Sequence, residues 1–118
     1  MDSLYRDHIL AHYRHPQNYG LRDDFDIEAR GDNPSCGDSI AIRLKMDGGI
    51  ISGVSFENKG CVISRAAASL GSSYIIGRDI AEIRRMAREN IAALLGVTLM
   101  PMRYQCAALF LEAVKKAV

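Results

Sequence analysis

No stretch of the chain approaches the roughly 18 consecutive apolar residues that a membrane-spanning helix needs. The first twenty residues, where a leader would sit, carry Asp2, Arg6, Asp7 and Arg14 among their apolar positions. A soluble, cytoplasmic protein without a membrane partner is expected. An excess of one charge is also lacking: 15 lysines and arginines against 14 aspartates and glutamates leave a net charge of +1. No global field therefore recommends a nucleic acid as partner. Cysteine is scarce, at three, and none stands in a C-x-x-C pair. An odd number cannot all pair within one chain, so a secreted disulfide framework is disfavoured, and in a reducing compartment the thiols stay available for metal. Neither G-x-x-x-x-G-K-[ST] nor G-x-S-x-G occurs, which removes the usual phosphate cradle and nucleophile elbow.

What is present is an ordinary globular composition, 48% hydrophobic and 25% charged over 118 residues, sized for one domain spanning 1–118 with one core. Leu4, Ile9, His12 and Tyr13 fall at helical offsets, and His15-Pro16 stops that pattern. From Asp26 to Lys59 the character changes. Ile40, Ile42, Leu44 and Met46 alternate with polar or small residues, Asp47-Gly48-Gly49 reads as a turn, and Ile51, Val54 and Phe56 follow, which predicts a hairpin extended to three antiparallel strands by residues 26–32. After Gly60 the period becomes helical through Ala66-Ala67-Ala68 and Leu70, fading at Gly71-Ser72-Ser73 or at Gly77. Asp79 with Glu82 predicts a capped helix to about Arg88, residues 90–96 a further turn ended by Gly96, and Pro101 the first turn of a last helix towards Val118, with Lys115 and Lys116 at its negative end. The fold class is α+β: a three-stranded antiparallel sheet with helices mainly on one face.

Each cysteine supports two readings. In Cys36-Gly37-Asp38, Gly37 permits backbone angles that would turn Cys36 and Asp38 towards one metal; the plainer reading is a buried cysteine beside a turn aspartate. Gly60-Cys61 sits where strand becomes helix, where unpaired amides favour a thiolate, though a small apolar helix-start residue would also suit. Cys106 follows Arg103 by three residues on the last helix, and with Leu109, Phe110 and Ala113 it also fits a core stripe. Three thiolates and a carboxylate carry four negative charges, so a divalent ion leaves the set near two minus and gives Arg103 a compensating role; otherwise Arg103 is a surface cation. His8 and His12, one turn apart, have no third ligand near in sequence and read as surface or packing residues. Arg84, Arg85 and Arg88 read as a solvated helix face.

Several ordered fragments carry a resemblance: Leu4-Tyr5-Arg6-Asp7-His8, Tyr13-Arg14-His15-Pro16-Gln17-Asn18-Tyr19-Gly20, Gly31-Asp32-Asn33-Pro34-Ser35-Cys36-Gly37-Asp38, Gly60-Cys61-Val62-Ile63-Ser64 and Arg103-Tyr104-Gln105-Cys106-Ala107. In this order, over essentially the whole chain, they resemble the IscU/SufU/NifU N-terminal-domain family of iron–sulfur cluster assembly scaffolds. The resemblance implies Cys36, Asp38, Cys61 and Cys106 as the ligands of zinc, iron or a [2Fe–2S] cluster, with Gly37 and Arg103 in support. It implies a cysteine desulfurase of the SufS or IscS type and apo iron–sulfur proteins as partners, and a homo-oligomer when cluster is bound. Cys36 is the expected persulfide acceptor, with Cys106 the alternative. IscU-like members carry histidine before the third cysteine and a Leu-Pro-Pro-Val-Lys motif upstream. This chain has Gln105 there and Leu99-Met100-Pro101-Met102-Arg103 upstream. Its Arg103-x-x-Cys106 pattern is similar to SufU, whereas the 44 residues between Cys61 and Cys106 are similar to IscU. The implied function is scaffolding of [2Fe–2S] assembly, with a zinc-dependent sulfurtransferase, or a small structural zinc protein, as the other readings.

Overall fold

The computed structural model describes residues 3–35 and 37–118. Helix α1 (Ser3–Arg14) is followed by strands β1 (Ile27–Asn33), β2 (Asp38–Asp47) and β3 (Ile50–Lys59), then by α2 (Val62–Ile75), α3 (Ile80–Arg85), α4 (Arg88–Leu95) and α5 (Pro101–Ala117). The sheet is antiparallel in the order β1-β2-β3. Among the described residues no helix is long and apolar enough to cross a membrane.

The alternation expected in β2 is present: Asp38, Ile40, Ile42 and Leu44 are buried, while the residues between them are only partly so. Val54, Phe56 and Asn58 continue the inward face on β3, and Ala29 on β1. Gly48 and Gly49, at φ +58° and +85°, close the β2–β3 hairpin as two left-handed residues, a geometry that matches the twist of the strands they join. Helix α5 packs on β1 and β2, α2 packs on β3, α1 lies against α2, and α4 lies against α2 and α5. The core between sheet and helices includes Ile42, Leu44, Ile51, Val54, Phe56, Ile91, Leu95, Phe110, Leu111 and Val114. Fully burying each of these stabilises the fold by about 1.5–3 kcal/mol before chain entropy is charged against it.

Helix α2 ends at the later of the two points read from the sequence, and the α3–α4 boundary departs from that reading. Helix α2 runs through Gly71-Ser72-Ser73 to Ile75, just before Gly77, with Gly71 and Ser72 buried and Ser73 exposed. A Cβ on Gly71 would stand 2.8 Å from the Phe110 ring, so the glycine admits α5 rather than ending α2. Helix α3 stops at Arg85, and Arg88 begins α4, so the three arginines are exposed but divided between two helices. The break at Met86-Ala87 is held by the Ile83 carbonyl accepting from Met86 N at 3.1 Å, by Asn90 Oδ1 accepting from Ala87 N at 2.8 Å, and by Lys115 Nζ donating to Met86 O at 2.7 Å.

Candidate metal centre

Three elements converge at one end of the sheet. The inward alternation of β2 begins with Asp38, so this carboxylate lies on the core face and is 2% exposed. Cys61 follows the last residue of β3 by two and is the N-cap of α2, its Sγ accepting from Ser64 N at 3.5 Å. Cys106, in the second turn of α5, is 1% exposed. An oxygen of Asp38 and the sulfurs of Cys61 and Cys106 lie within 4.8 Å of one another. Donors on one tetrahedral ion, with bonds of about 2.0–2.3 Å, stand roughly 3.5–3.8 Å apart, so modest side-chain shifts bring these three onto a common ion.

Asp38 Oδ1 accepts from Cys61 N at 3.0 Å, and the Cys61 thiol donates to Oδ2 at 3.8 Å. Among the described residues no lysine, arginine or histidine forms an ion pair with this carboxylate. A buried, unpaired carboxylate is costly. A bound cation removes that cost, and with two soft sulfurs beside one hard oxygen the donor set fits zinc or iron. Gly60 makes the approach sterically possible: at φ +154° its Cβ would fall on the Asp38 carboxylate and 2.9 Å from Ser64 Oγ. Gly37 differs, with φ +70° and no atom within 4 Å of a Cβ placed there, so its requirement is conformational alone.

Arg103 is exposed one turn before Cys106. Attraction to Cys61 first, then its hydrogen bond to that sulfur, holds the guanidinium pKa above its ordinary value. Cys36 lies outside the described residues. His8 and His12 are packed away from this centre, their rings 5.0 Å apart edge to face, with His12 Nδ1 2.7 Å from Ser69 Oγ. Gln105 is exposed and lines a separate depression of about 250 Å³ with Asp32, Asn33, Arg88 and Glu112.

A second layer of residues escaped the sequence reading. Asn58 Nδ2 donates to Ser64 Oγ at 3.3 Å, Ser64 Oγ donates to Cys61 O at 3.1 Å, and Arg65 Nε donates to Asn58 Oδ1 at 3.0 Å. The available signal was parity: Asn58 shares the inward face of Val54 and Phe56, so it is a polar residue at the end of an apolar stripe.

A small α+β domain with a carboxylate and two cysteines gathered at one sheet end defines a metal-site scaffold in architecture. The chain matches the NifU-like N terminal domain family over residues 4–118, and it belongs to that family. It is 36% identical over 135 aligned positions to the zinc-dependent sulfurtransferase SufU of Bacillus subtilis, covering 100% of this chain and 91% of the relative. It is also 36% identical over 131 positions to the iron–sulfur cluster assembly scaffold protein IscU of Thermotoga maritima, covering 98% and 92%. Among solved structures, the putative iron–sulfur cluster assembly scaffold protein for the SUF system from Fervidobacterium islandicum AW-1 superposes with a TM-score of 0.82 at 25% identity, over 94% of this chain and 93% of that one.

Proposed function

We propose that this protein, as a single domain over 1–118, is a scaffold on which iron and desulfurase-derived sulfur are combined into [2Fe–2S] clusters for transfer to apo-proteins. The observation that carries the reading is the convergence of Asp38, Cys61 and Cys106 within 4.8 Å, in a chain with an IscU relative matched over nearly its whole length. Cys36, two residues before Asp38, completes a four-ligand set. A cysteine desulfurase of the SufS or IscS type is the proposed sulfur donor, and a cluster-bound oligomer the proposed loaded state, in the cytoplasm.

The residues divide the work by chemistry. The sulfurs of Cys36, Cys61 and Cys106 hold the cargo iron, and Asp38 supplies one hard oxygen among soft thiolates, an exchangeable ligand that eases release. Arg103 offsets negative charge that accumulates on the thiolates. A cysteine thiolate attacks the outer sulfur of the desulfurase persulfide, forming the new S–S bond as the desulfurase thiolate leaves; each transferred sulfur then takes two electrons to become sulfide, one from ferrous iron and one from an external thiol reductant such as excess cysteine. Cys36 is the proposed acceptor because it stands beside Gly37 in sequence, and glycine's backbone freedom lowers the conformational cost of reaching a partner's persulfide. Cys106, within α5, is the alternative.

A second reading, a zinc-dependent sulfurtransferase, is favoured by Arg103-x-x-Cys106 and by the full-length match to SufU. Zinc would be held by the same residues and would keep the thiols as thiolates until docking frees one. Anaerobic incubation with ferrous iron, cysteine and a desulfurase separates the two. The scaffold gives visible absorbance with stoichiometric iron and sulfide; colourless protein retaining one zinc and one persulfide selects the relay. In the scaffold case Asp38→Ala lengthens cluster lifetime and slows transfer to an apo-ferredoxin, and transfer at the parent rate removes Asp38 from the ligand set.

A further inference from the structure

Arg65 lies one helical turn beyond Cys61 and is not among the metal-site donors. Its guanidinium donates from Nε to Asn58 Oδ1 at 3.0 Å and from Nη2 to the Asn58 carbonyl at 3.3 Å. Its Cζ stands 5.2 Å from the ring centre of Tyr13, on α1, and 5.2 Å from that of Tyr19. Tyr19 belongs to a segment bonded to the edge of β3: Gly20 N donates to Phe56 O, and Phe56 N donates to Asn18 O. One cation thus joins α1, that segment, the end of β3 and the start of α2.

The chemistry of these groups sets a direction. A guanidinium has only donors, so the part of the Asn58 amide facing it must be the oxygen. The amide nitrogen then faces Ser64 Oγ and donates to it at 3.3 Å. With that lone pair occupied, the Ser64 proton goes to the Cys61 carbonyl at 3.1 Å. The result is a chain of donors running Arg65, Asn58, Ser64, Cys61, ending on the residue that caps α2 with its sulfur. Asn58 and Ser64 are 7% and 3% exposed, so water competes poorly for these bonds.

We infer that Arg65 is a positioning residue: through Asn58 and Ser64 it fixes the helix cap carrying Cys61, and through Tyr13 and Tyr19 it ties that cap to the N-terminal segment. The inference rests on the reading of Cys61 as a metal-holding thiol. Outer groups that orient a ligand typically alter metal affinity by about 10- to 100-fold when removed. Arg65→Lys keeps a cation between the two rings but cannot make the two forked bonds to Asn58. It separates charge from geometry.

The test uses the full chain with Arg65→Ala, Arg65→Lys, Asn58→Leu and the Arg65→Ala/Asn58→Leu pair. Zinc affinity is measured by competition with a chromophoric chelator. The rate of Cys61 alkylation by iodoacetamide is measured in metal-free protein and mapped by peptide mass spectrometry, with thermal unfolding as the check of fold. Arg65→Ala and Asn58→Leu should each weaken zinc binding about tenfold or more and speed alkylation of Cys61. The pair should be no worse than the worse single variant, and Arg65→Lys should fall between parent and Arg65→Ala. Folded Arg65→Ala or Arg65→Lys protein with zinc affinity and Cys61 alkylation within twofold of the parent overturns the inference, as does full additivity in the pair. If Arg65→Ala does not fold, Arg65→Lys decides. Failure of the parent to bind zinc counts against the metal reading, and the alkylation rates then still decide the positioning role.

Discussion

Two helix caps flank the same strand and are put to different ends. Beside the first residue of β3, Asp79 caps α3: its Oδ1 accepts from Glu82 N at 2.9 Å, and Ile50↔Asp79 forms an isolated bridge. Two residues beyond the last of β3, Cys61 caps α2 with a sulfur 3.5 Å from Ser64 N. An aspartate would cap α2 better, and one is present, but Asp38 reaches in from 23 residues away and bonds the cap's own N–H. At Asp79 the side chain serves the helix that it caps. At Cys61 a weaker sulfur cap and a buried carboxylate lie within 4.8 Å of the Cys106 sulfur, so that end of the sheet gives up some capping strength and gathers metal-binding donors.

The comparison breaks first at the glycines. Gly60→Ala places a methyl group against Asp38 and Ser64 in a conformation hostile to side chains; it should destabilise the fold by about 3 kcal/mol or more and abolish metal binding. Gly77→Ala, near the Asp79 end, meets the φ +89° strain but no neighbouring atom within 4 Å, and should cost about 1 kcal/mol with metal binding intact. Urea unfolding and zinc titration of both proteins check this. Equal losses, or metal binding preserved in Gly60→Ala, would erase the distinction between the two ends.

Asp79→Ala sharpens it from the other side. Removal of an ordinary cap should cost about 1 kcal/mol and leave zinc affinity unchanged, since no proposed ligand lies near. A change in affinity would mean that the two ends are coupled.

The smallest effect concerns pH and lies at neither cap. Partial burial, and secondarily the neighbouring His8, hold the His12 pKa below 6.5, so folding favours the neutral imidazole. That contribution is complete above pH 6.5 and is lost as pH falls through the lowered folded value. The drop in unfolding temperature between pH 7 and pH 5 should shrink in His12→Gln. An unchanged drop assigns the acid sensitivity to other groups.

What was legible in the sequence follows from the range of the interactions that decide it. Ile40, Ile42 and Leu44 announce β2 because strand parity is local, and the same parity places Asp38 inward. Gly48-Gly49 and Gly96, the latter left-handed at φ +74° after α4, mark their turns because backbone sterics are local too. The gap between α3 and α4 has no glycine or proline to announce it. Its place is set by Asn90 Oδ1 accepting from Ala87 N and by Lys115, 29 residues on, donating to Met86 O. Of the two ends read for α2, Gly77 is the one adopted, because the part Gly71 plays lies in its approach to Phe110 rather than in its own backbone. The gathering of Asp38, Cys61 and Cys106 was implied by resemblance, whereas the Arg65-Asn58-Ser64 chain joins residues whose partners are fixed only once β3 and α2 have packed.

The most direct measurement counts the sulfurs. Cobalt(II), titrated anaerobically into metal-free protein, reports each bound thiolate by its sulfur-to-metal absorption and a tetrahedral site by its visible bands. One equivalent should bind to the parent, with the sulfur-to-cobalt band falling and binding sharply weakened in Cys61→Ser and in Cys106→Ser, and with the visible bands shifted in Asp38→Ala. Full-strength binding with an unchanged spectrum in either cysteine variant would contradict the assignment of that end of the sheet as a metal centre.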